Sequence, residues 1–216
     1  MFDTDTARRM MVDGQIRTAD VTNLDLIAAM LAVPRERFMP PALAEQAYLD
    51  CDTAIGDGRA LLKPMVLAKL IQAAHVRDGD HVLDVGCGTG YSSAVLARLA
   101  GSVVALEEDE ALARQAKETL AAEGAHVVIG TGPLTAGWPA AAPYDVILLN
   151  GATEIVPEAL GRQLKPNGRL ACIFGRAPTG KAMIYRLVEG HLSGRPIFDA
   201  AAPVLPGFVA PPAFVF

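Results

Sequence analysis

Clusters of basic residues are missing from this chain. Its 19 lysines and arginines are scattered among 24 aspartates and glutamates, giving a net charge of −5 over 216 residues. A nucleic-acid backbone asks for a positive patch or stripe, so no nucleic-acid partner is expected. Cysteine is scarce too. The three cysteines, at 51, 87 and 172, are odd in number and far apart, which argues against a disulfide framework or a cysteine zinc site. Four histidines (75, 81, 126, 191) are equally dispersed, and no metal is expected. No apolar run reaches the roughly 18 residues that a membrane span needs. The opening Met1-Phe2-Asp3-Thr4-Asp5-Thr6 is too acidic and polar for a secretory leader. These absences lead to the expectation of a cytoplasmic protein without a membrane partner, and they leave the oligomeric state open.

What is present is apolar residue and glycine. The chain is 51% hydrophobic, ample for the core of one α/β domain with an extension. The stretch Val82-Leu83-Asp84-Val85-Gly86-Cys87-Gly88-Thr89-Gly90-Tyr91 organises it. His81 to Val85 has the short apolar, β-branched character of a buried parallel strand. Gly86, Gly88 and Gly90 suit a sharp turn that lets a ligand approach the backbone. From Tyr91 to Ala100 apolar residues recur at helical spacing. Strand, glycine turn and helix make a nucleotide-site module.

A dinucleotide fingerprint would place its last glycine at 91, where this chain has Tyr91. Asp84, just before the turn, would repel a pyrophosphate but attract the ammonium and sulfonium of S-adenosylmethionine. Glu107, 21 residues past Gly86 and at the end of the apolar run 102–107, suits a pair of ribose hydroxyls. S-adenosylmethionine is therefore the expected cofactor. A dinucleotide, or a glycine turn that binds nothing, are the alternatives.

Residues 1–76 are expected to form a helical extension. Its helices are placed at 7–17, at 24–33 behind the caps Thr22 and Asn23, in a short piece from Pro40 to Ala47, and from Pro64 to about Val76. A loop is placed at 48–63. Residues 77–216 are expected to form the core, with parallel strands at 81–85, 102–107, 125–129, 144–149 and 169–174 and helices at 109–123 and 155–164 between them. An antiparallel strand at 181–188 and a last strand at 196–201 complete an α/β, doubly wound, mostly parallel seven-stranded sheet. Asp84, Glu107, Thr131 and Asn150 fall at the carboxyl ends of strands, where such sheets bind ligands. Glu108 and Asp109 are assigned to the next helix's N-terminus. Trp138 is expected to be a packed anchor. The apolar tail from Phe208 to Phe216 is expected to dock on the body or cover a dimer surface.

Taken together these stretches resemble the protein-L-isoaspartate O-methyltransferase family over most of the chain. Met11 to Arg17 looks like the family's opening helix, and Ala32-Val33-Pro34-Arg35-Glu36-Arg37-Phe38-Met39-Pro40 matches its VPRE-x-F-x-P segment. Val82 to Tyr91 matches the cofactor motif, Tyr91 included. Gly137-Trp138-Pro139, Pro143-Tyr144-Asp145, Pro157 to Leu160 and Leu164 to Leu170 follow the family's second half in order. The resemblance implies a class I, Rossmann-like methyltransferase fold. It also implies methyl transfer from S-adenosylmethionine to the free carboxyl of isoaspartyl residues in damaged proteins. The cofactor set it implies is Asp84, Gly86, Gly88, Gly90, Tyr91, Glu107, Thr131, Gly132 and Asn150.

Two stretches depart from the family. Its substrate loop, similar to IGxGQTISQP, reads Ile55-Gly56-Asp57-Gly58-Arg59-Ala60-Leu61-Leu62-Lys63-Pro64 here. Leu62 stands where the family has an active-site Ser and is not itself catalytic, and Ala60 replaces Thr. Arg59 is the candidate for holding an acceptor carboxylate by a charge-assisted contact, with Lys63 beside it. The family's GDG reads Gly130-Thr131-Gly132, with a hydroxyl in place of the Asp that suits the adenine amino group. These departures keep open a different carboxylate or small acidic acceptor, or a non-catalytic S-adenosylmethionine-binding protein. They also predict that methyl transfer to an isoaspartyl peptide is absent or far below the family's level although the cofactor binds, since Ala60 and Leu62 offer no side-chain hydrogen bond.

Overall fold

The computed structural model describes residues 3–56, 58–188 and 190–211. Asp57 of the substrate loop and residues 212–216 of the apolar tail lie outside the described residues. Helix α1 (Thr4–Met11) starts at Asp3, whose carboxylate accepts from the Thr6 N–H. It does not continue as one α-helix to Arg17. A π turn (Val12–Ile16) and a 3-10 turn (Arg17–Ala19) follow, ended by Asp20 at φ 64. Helix α2 (Leu24–Ala32) begins at Asn23, which accepts from the Leu26 N–H. The piece behind Pro40 is 3-10 rather than α, over Pro41–Gln46.

The expected loop at 48–63 contains a hairpin of β1 (Thr53–Gly56) and β2 (Arg59–Leu61). Local pattern misses it because the strands are short and a charged residue, Arg59, takes an inward position where an apolar one is anticipated. Helix α3 (Pro64–Ala74) opens on its proline and stops at His75 in the left-handed region.

The second half alternates β3 (His81–Val85), α4 (Tyr91–Leu96), β4 (Ser102–Glu107), α5 (Glu110–Ala122), β5 (Val127–Thr131), β6 (Tyr144–Thr153), α6 (Glu158–Gly161), β7 (Leu164–Phe174), β8 (Lys181–Val188) and β9 (His191–Asp199). The seven strands lie in the order β5-β4-β3-β6-β7-β8-β9. The first five are parallel, and β8 and β9 are antiparallel additions. Several limits move. β5 sits two residues later than expected because Glu107 pairs with Thr131. β6 runs on to Thr153 through a bulge between Leu148 and Ala152. β9 covers 191–199 rather than 196–201. The helix expected over 155–164 shrinks to four residues. There the Thr153 hydroxyl donates to the Ile155 carbonyl and accepts its N–H, holding a turn ahead of Pro157.

Strand residues alternate between two apolar layers, as the pleat requires. Val82, Val103, Val146 and Leu148 pack with Met11, Ile16, Leu26, Met30, Leu67 and Leu70 of the extension. Leu83, Val85, Leu106, Ile147 and Leu149 pack with Leu134, Leu160, Leu205 and Phe208. The extension thus covers one face of the sheet, and part of the other is covered by the chain's last described segment. That segment is laid along β6 by the Leu205 N–H to Ala152 carbonyl bond, 2.9 Å, and the Ala152 N–H to Pro203 carbonyl bond, 2.9 Å. No helix among the described residues is long and apolar enough to cross a membrane.

Candidate functional site

The sheet's connections run outward from β3 through β4 to β5, then return to β6 on β3's other side. In such sheets that reversal marks the usual ligand site, beyond the carboxyl ends of β3 and β6. The glycine turn lies there. Gly86 and Gly88 have φ 75 and 58, conformations in which a side chain is strained. The N–H groups of Gly86 and Cys87 both donate to the Leu106 carbonyl, at 2.8 and 3.2 Å, which fixes the turn against β4.

Asp84 is fully buried one residue before the strand ends. Its Oδ2 accepts from the hydroxyls of Ser92 and Ser93, both at 2.6 Å, and Asn150 Nδ2 donates to the Ser92 hydroxyl at 2.7 Å. Burial pushes the Asp84 carboxyl up to about 6, helped by neighbouring Glu107; the two serines and Arg59 pull the other way. Asp84 Oδ1 and Asn150 Oδ1 are buried and find no partner among the described residues. Each is a buried acceptor without a donor, and an ammonium group would supply one.

Glu107, also fully buried, ends β4. It accepts from the N–H groups of Gly88 (2.8 Å), Glu108 (2.9 Å) and Asp109 (3.2 Å). Arg59 reaches it from β2. Nη1 and Nη2 donate to Oε1 and Oε2 at 2.5 and 2.7 Å, a two-pronged ion pair with the arginine only 5% exposed. The candidate carboxylate-holding cation thus holds a carboxylate of its own chain.

The remaining candidates are placed as follows. Gly90 precedes α4 at φ 95. The Tyr91 ring packs edge-on to Phe38, 5.7 Å between centroids, and under the Arg35 guanidinium at 4.7 Å, so it faces the N-terminal extension. Thr131 is exposed at the end of β5 beside Glu107 and borders a cavity of about 510 Å³ with Glu110, Arg114 and Lys117. Gly132 donates to the Glu107 carbonyl at 3.1 Å. Leu62 is buried at 2% in the core, filling apolar space. Asp109 caps α5 as expected, accepting from Ala111 and Leu112, whereas Glu108 reaches the Leu134 N–H. Trp138 packs its ring over Gly130, where a Cβ would lie 2.8 Å from it.

Local pattern missed four residues. Ser92 and Ser93 hold Asp84, and their signal was a pair of hydroxyls in the first turn of the helix that follows the glycine turn. Arg35 is fully buried and ties the loop down, donating to the Ala47 and Leu62 carbonyls at 2.8 and 2.9 Å; its signal was the VPRE segment. Leu205 lies over the turn, where a Cβ on Gly86 or Gly151 would come within 3.1 or 2.6 Å of it. Nothing in the local sequence around Leu205 announces this.

Residues 7–189 match the profile of the protein-L-isoaspartate(D-aspartate) O-methyltransferase family. The chain is 43% identical over 194 residues to the protein-L-isoaspartate O-methyltransferase of Methylorubrum extorquens, covering 90% of this chain and 83% of that one. It is 41% identical over 177 residues to the enzyme of the same name from Methanoregula boonei, covering 82% and 80%. Among solved structures, a protein-L-isoaspartate O-methyltransferase superposes with a TM-score of 0.80 at 25% identity, over 93% of this chain and 66% of that one. A Plasmodium falciparum structure titled as a putative member of the same class, in complex with S-adenosyl-L-homocysteine, superposes with a TM-score of 0.79 over 95% and 99%. At 18% identity it supports the fold alone. A doubly wound sheet with this glycine turn, its two buried acids and this extent of likeness places the chain in the protein-L-isoaspartate(D-aspartate) O-methyltransferase family.

Proposed function

We propose that this chain transfers a methyl group from S-adenosylmethionine to the free carboxyl of isoaspartyl residues in proteins or peptides of the cytoplasm. The observation that carries the reading is the pair of buried acids flanking the glycine turn, Asp84 and Glu107, in a chain of this family. The free Asp84 Oδ1, with Asn150 Oδ1, suits an ammonium. Glu107 suits a ribose diol, and Gly86 and Gly88 let the ligand lie on the backbone. Thr131 and Gly132 stand at the adenine end, where a neutral hydroxyl is a weaker acceptor than a carboxylate. S-adenosylmethionine supplies an electrophilic methyl group when bound.

The residues of this chain then have a modest task. An ionised carboxylate is already nucleophilic, so no strong base is needed. The protein has to orient it and exclude water. The acceptor side is built on the 53–63 segment, held by Arg35 at its Leu62 end and by the Asp52 carboxylate on the Lys63 N–H at 2.8 Å. The relatives' shared name favours the isoaspartyl acceptor over a different acid. The test is methyl-ester formation on an isoaspartyl peptide and on its ordinary aspartyl isomer. Transfer confined to the isoaspartyl peptide is expected. Transfer to neither, with the cofactor bound, would remove this substrate.

A further inference from the structure

The nucleotide crevice is filled by the chain's own side chains. Glu107 is engaged by five donors at once: the two Arg59 nitrogens and the N–H groups of Gly88, Glu108 and Asp109. A carboxylate offers about four lone-pair sites, so a ribose diol has no acceptor left to claim. The space over the turn is taken in the same way. A Cβ on Gly88 would lie 2.5 Å from Ile55 Cδ1, and one on Gly86 would lie 3.2 Å from Arg59 Nη2 and 3.1 Å from Leu205 Cδ1. Ile55 and Arg59 belong to the two strands of one hairpin. Its base is fixed by the Asp52–Lys63 bond and by Arg35 on the Leu62 carbonyl, so the change that frees Glu107 falls on the Arg59 side chain. A buried ion pair gives back much of its attraction as desolvation. Exchanging the guanidinium for neutral hydroxyls, with the arginine returned to water, is therefore a small net change.

We propose that Arg59 is a latch on the cofactor site: it competes with the ribose for Glu107, and the nucleotide enters only when the Arg59 side chain releases Glu107 and Leu205 gives way. The proposal rests on reading Glu107 as the ribose acid, as above. It makes apparent affinity the intrinsic affinity scaled by the open fraction.

The experiment is calorimetric titration of the full native chain and of Arg59→Gln with S-adenosylhomocysteine, the stable demethylated product. Gln is the residue the family resemblance gives for position 59, and it cannot hold both carboxylate oxygens. The latch predicts at least tenfold tighter binding by Arg59→Gln. Arg59→Lys, which keeps the charge without the fork, is expected to fall between the two and replaces Arg59→Gln if that variant does not melt cooperatively. Stopped-flow fluorescence of Trp138, the single tryptophan, gives a second readout. In the native chain the observed rate should become independent of ligand concentration, limited by opening, whereas in the variant it should rise linearly. Equal, measurable affinity in native and variant chains would overturn the latch and leave the methyltransferase reading standing. Absence of binding in both would overturn the two together.

Discussion

The unit 81–107 and the hairpin 53–61 face each other across one ion pair, yet they differ in what anchors them. In the first, the two acids are each held by neighbours close in sequence: Ser92 and Ser93 on Asp84, Gly88 and Asp109 on Glu107. In the second, Arg59 reaches across 48 positions to Glu107. A site assembled from its own turn keeps its geometry whatever the hairpin does. An arginine held by the site's acid can be displaced by whatever else that acid binds. On the proposed reading, the unit 81–107 supplies the binding groups and Arg59 of the hairpin governs access to them.

The largest expected effect breaks the contact between the two. Glu107→Ala frees the Arg59 guanidinium to return to water but leaves the N–H groups of Gly88, Glu108 and Asp109 without their acceptor, and should cost about 3–5 kcal/mol of stability by denaturant titration, besides weakening S-adenosylhomocysteine binding. A loss under about 1 kcal/mol would mean that those N–H groups reach water instead. Next is Leu62→Ser, which restores the family residue in the hairpin's C-terminal flank. Leu62 is 2% exposed in the core, so the substitution should lower stability by about 2–5 kcal/mol through cavity and polar burial. If it instead raised isoaspartyl turnover without that loss, position 62 would face the acceptor.

Asp84→Asn probes the family-like half alone. The Asp84 carboxyl is raised from 3.8 to about 6, so the native state binds its proton more tightly than the unfolded chain does. Stability from this group is full below about pH 4 and falls as pH rises to about 6. The Asn variant should therefore be about 2–3 kcal/mol more stable than native at pH 7.5, with the slope between pH 4 and 6 removed. Thermal melts across that range check it, and an unchanged slope would place the proton elsewhere. The smallest effect is a control on burial. Arg176 pairs with Glu154 at 2.6 Å but is 66% exposed, so Arg176→Ala should shift stability by no more than about 0.5 kcal/mol. A loss matching that of Glu107→Ala would show that burial is not what separates the two pairs.

The family-like half was legible because its signals are local. The apolar runs of β3, β4 and β6, the spaced glycines and the two acids at strand ends follow from period and turn chemistry. The diverged half was not, because its decisive contacts are long-range. Arg59 was recognisable as a carboxylate holder, but no periodicity says that the carboxylate is Glu107. Leu205 was one apolar residue in a proline-rich segment until β6 continued past its bulge and offered Ala152 as a pairing partner. The Tyr91 ring was placed at the cofactor by motif alone, whereas packing on Phe38 and Arg35 turns it toward the extension.

The most direct test of the account is a crystal structure of the native chain grown with S-adenosylhomocysteine, read at one place: the contact between Arg59 Nη1 and Glu107 Oε1, 2.5 Å here. The ribose hydroxyls are expected on Glu107, with the guanidinium out of hydrogen-bonding range and Leu205 moved off the glycine turn. A ribose seated in the crevice while Arg59 still holds both Glu107 oxygens would contradict it.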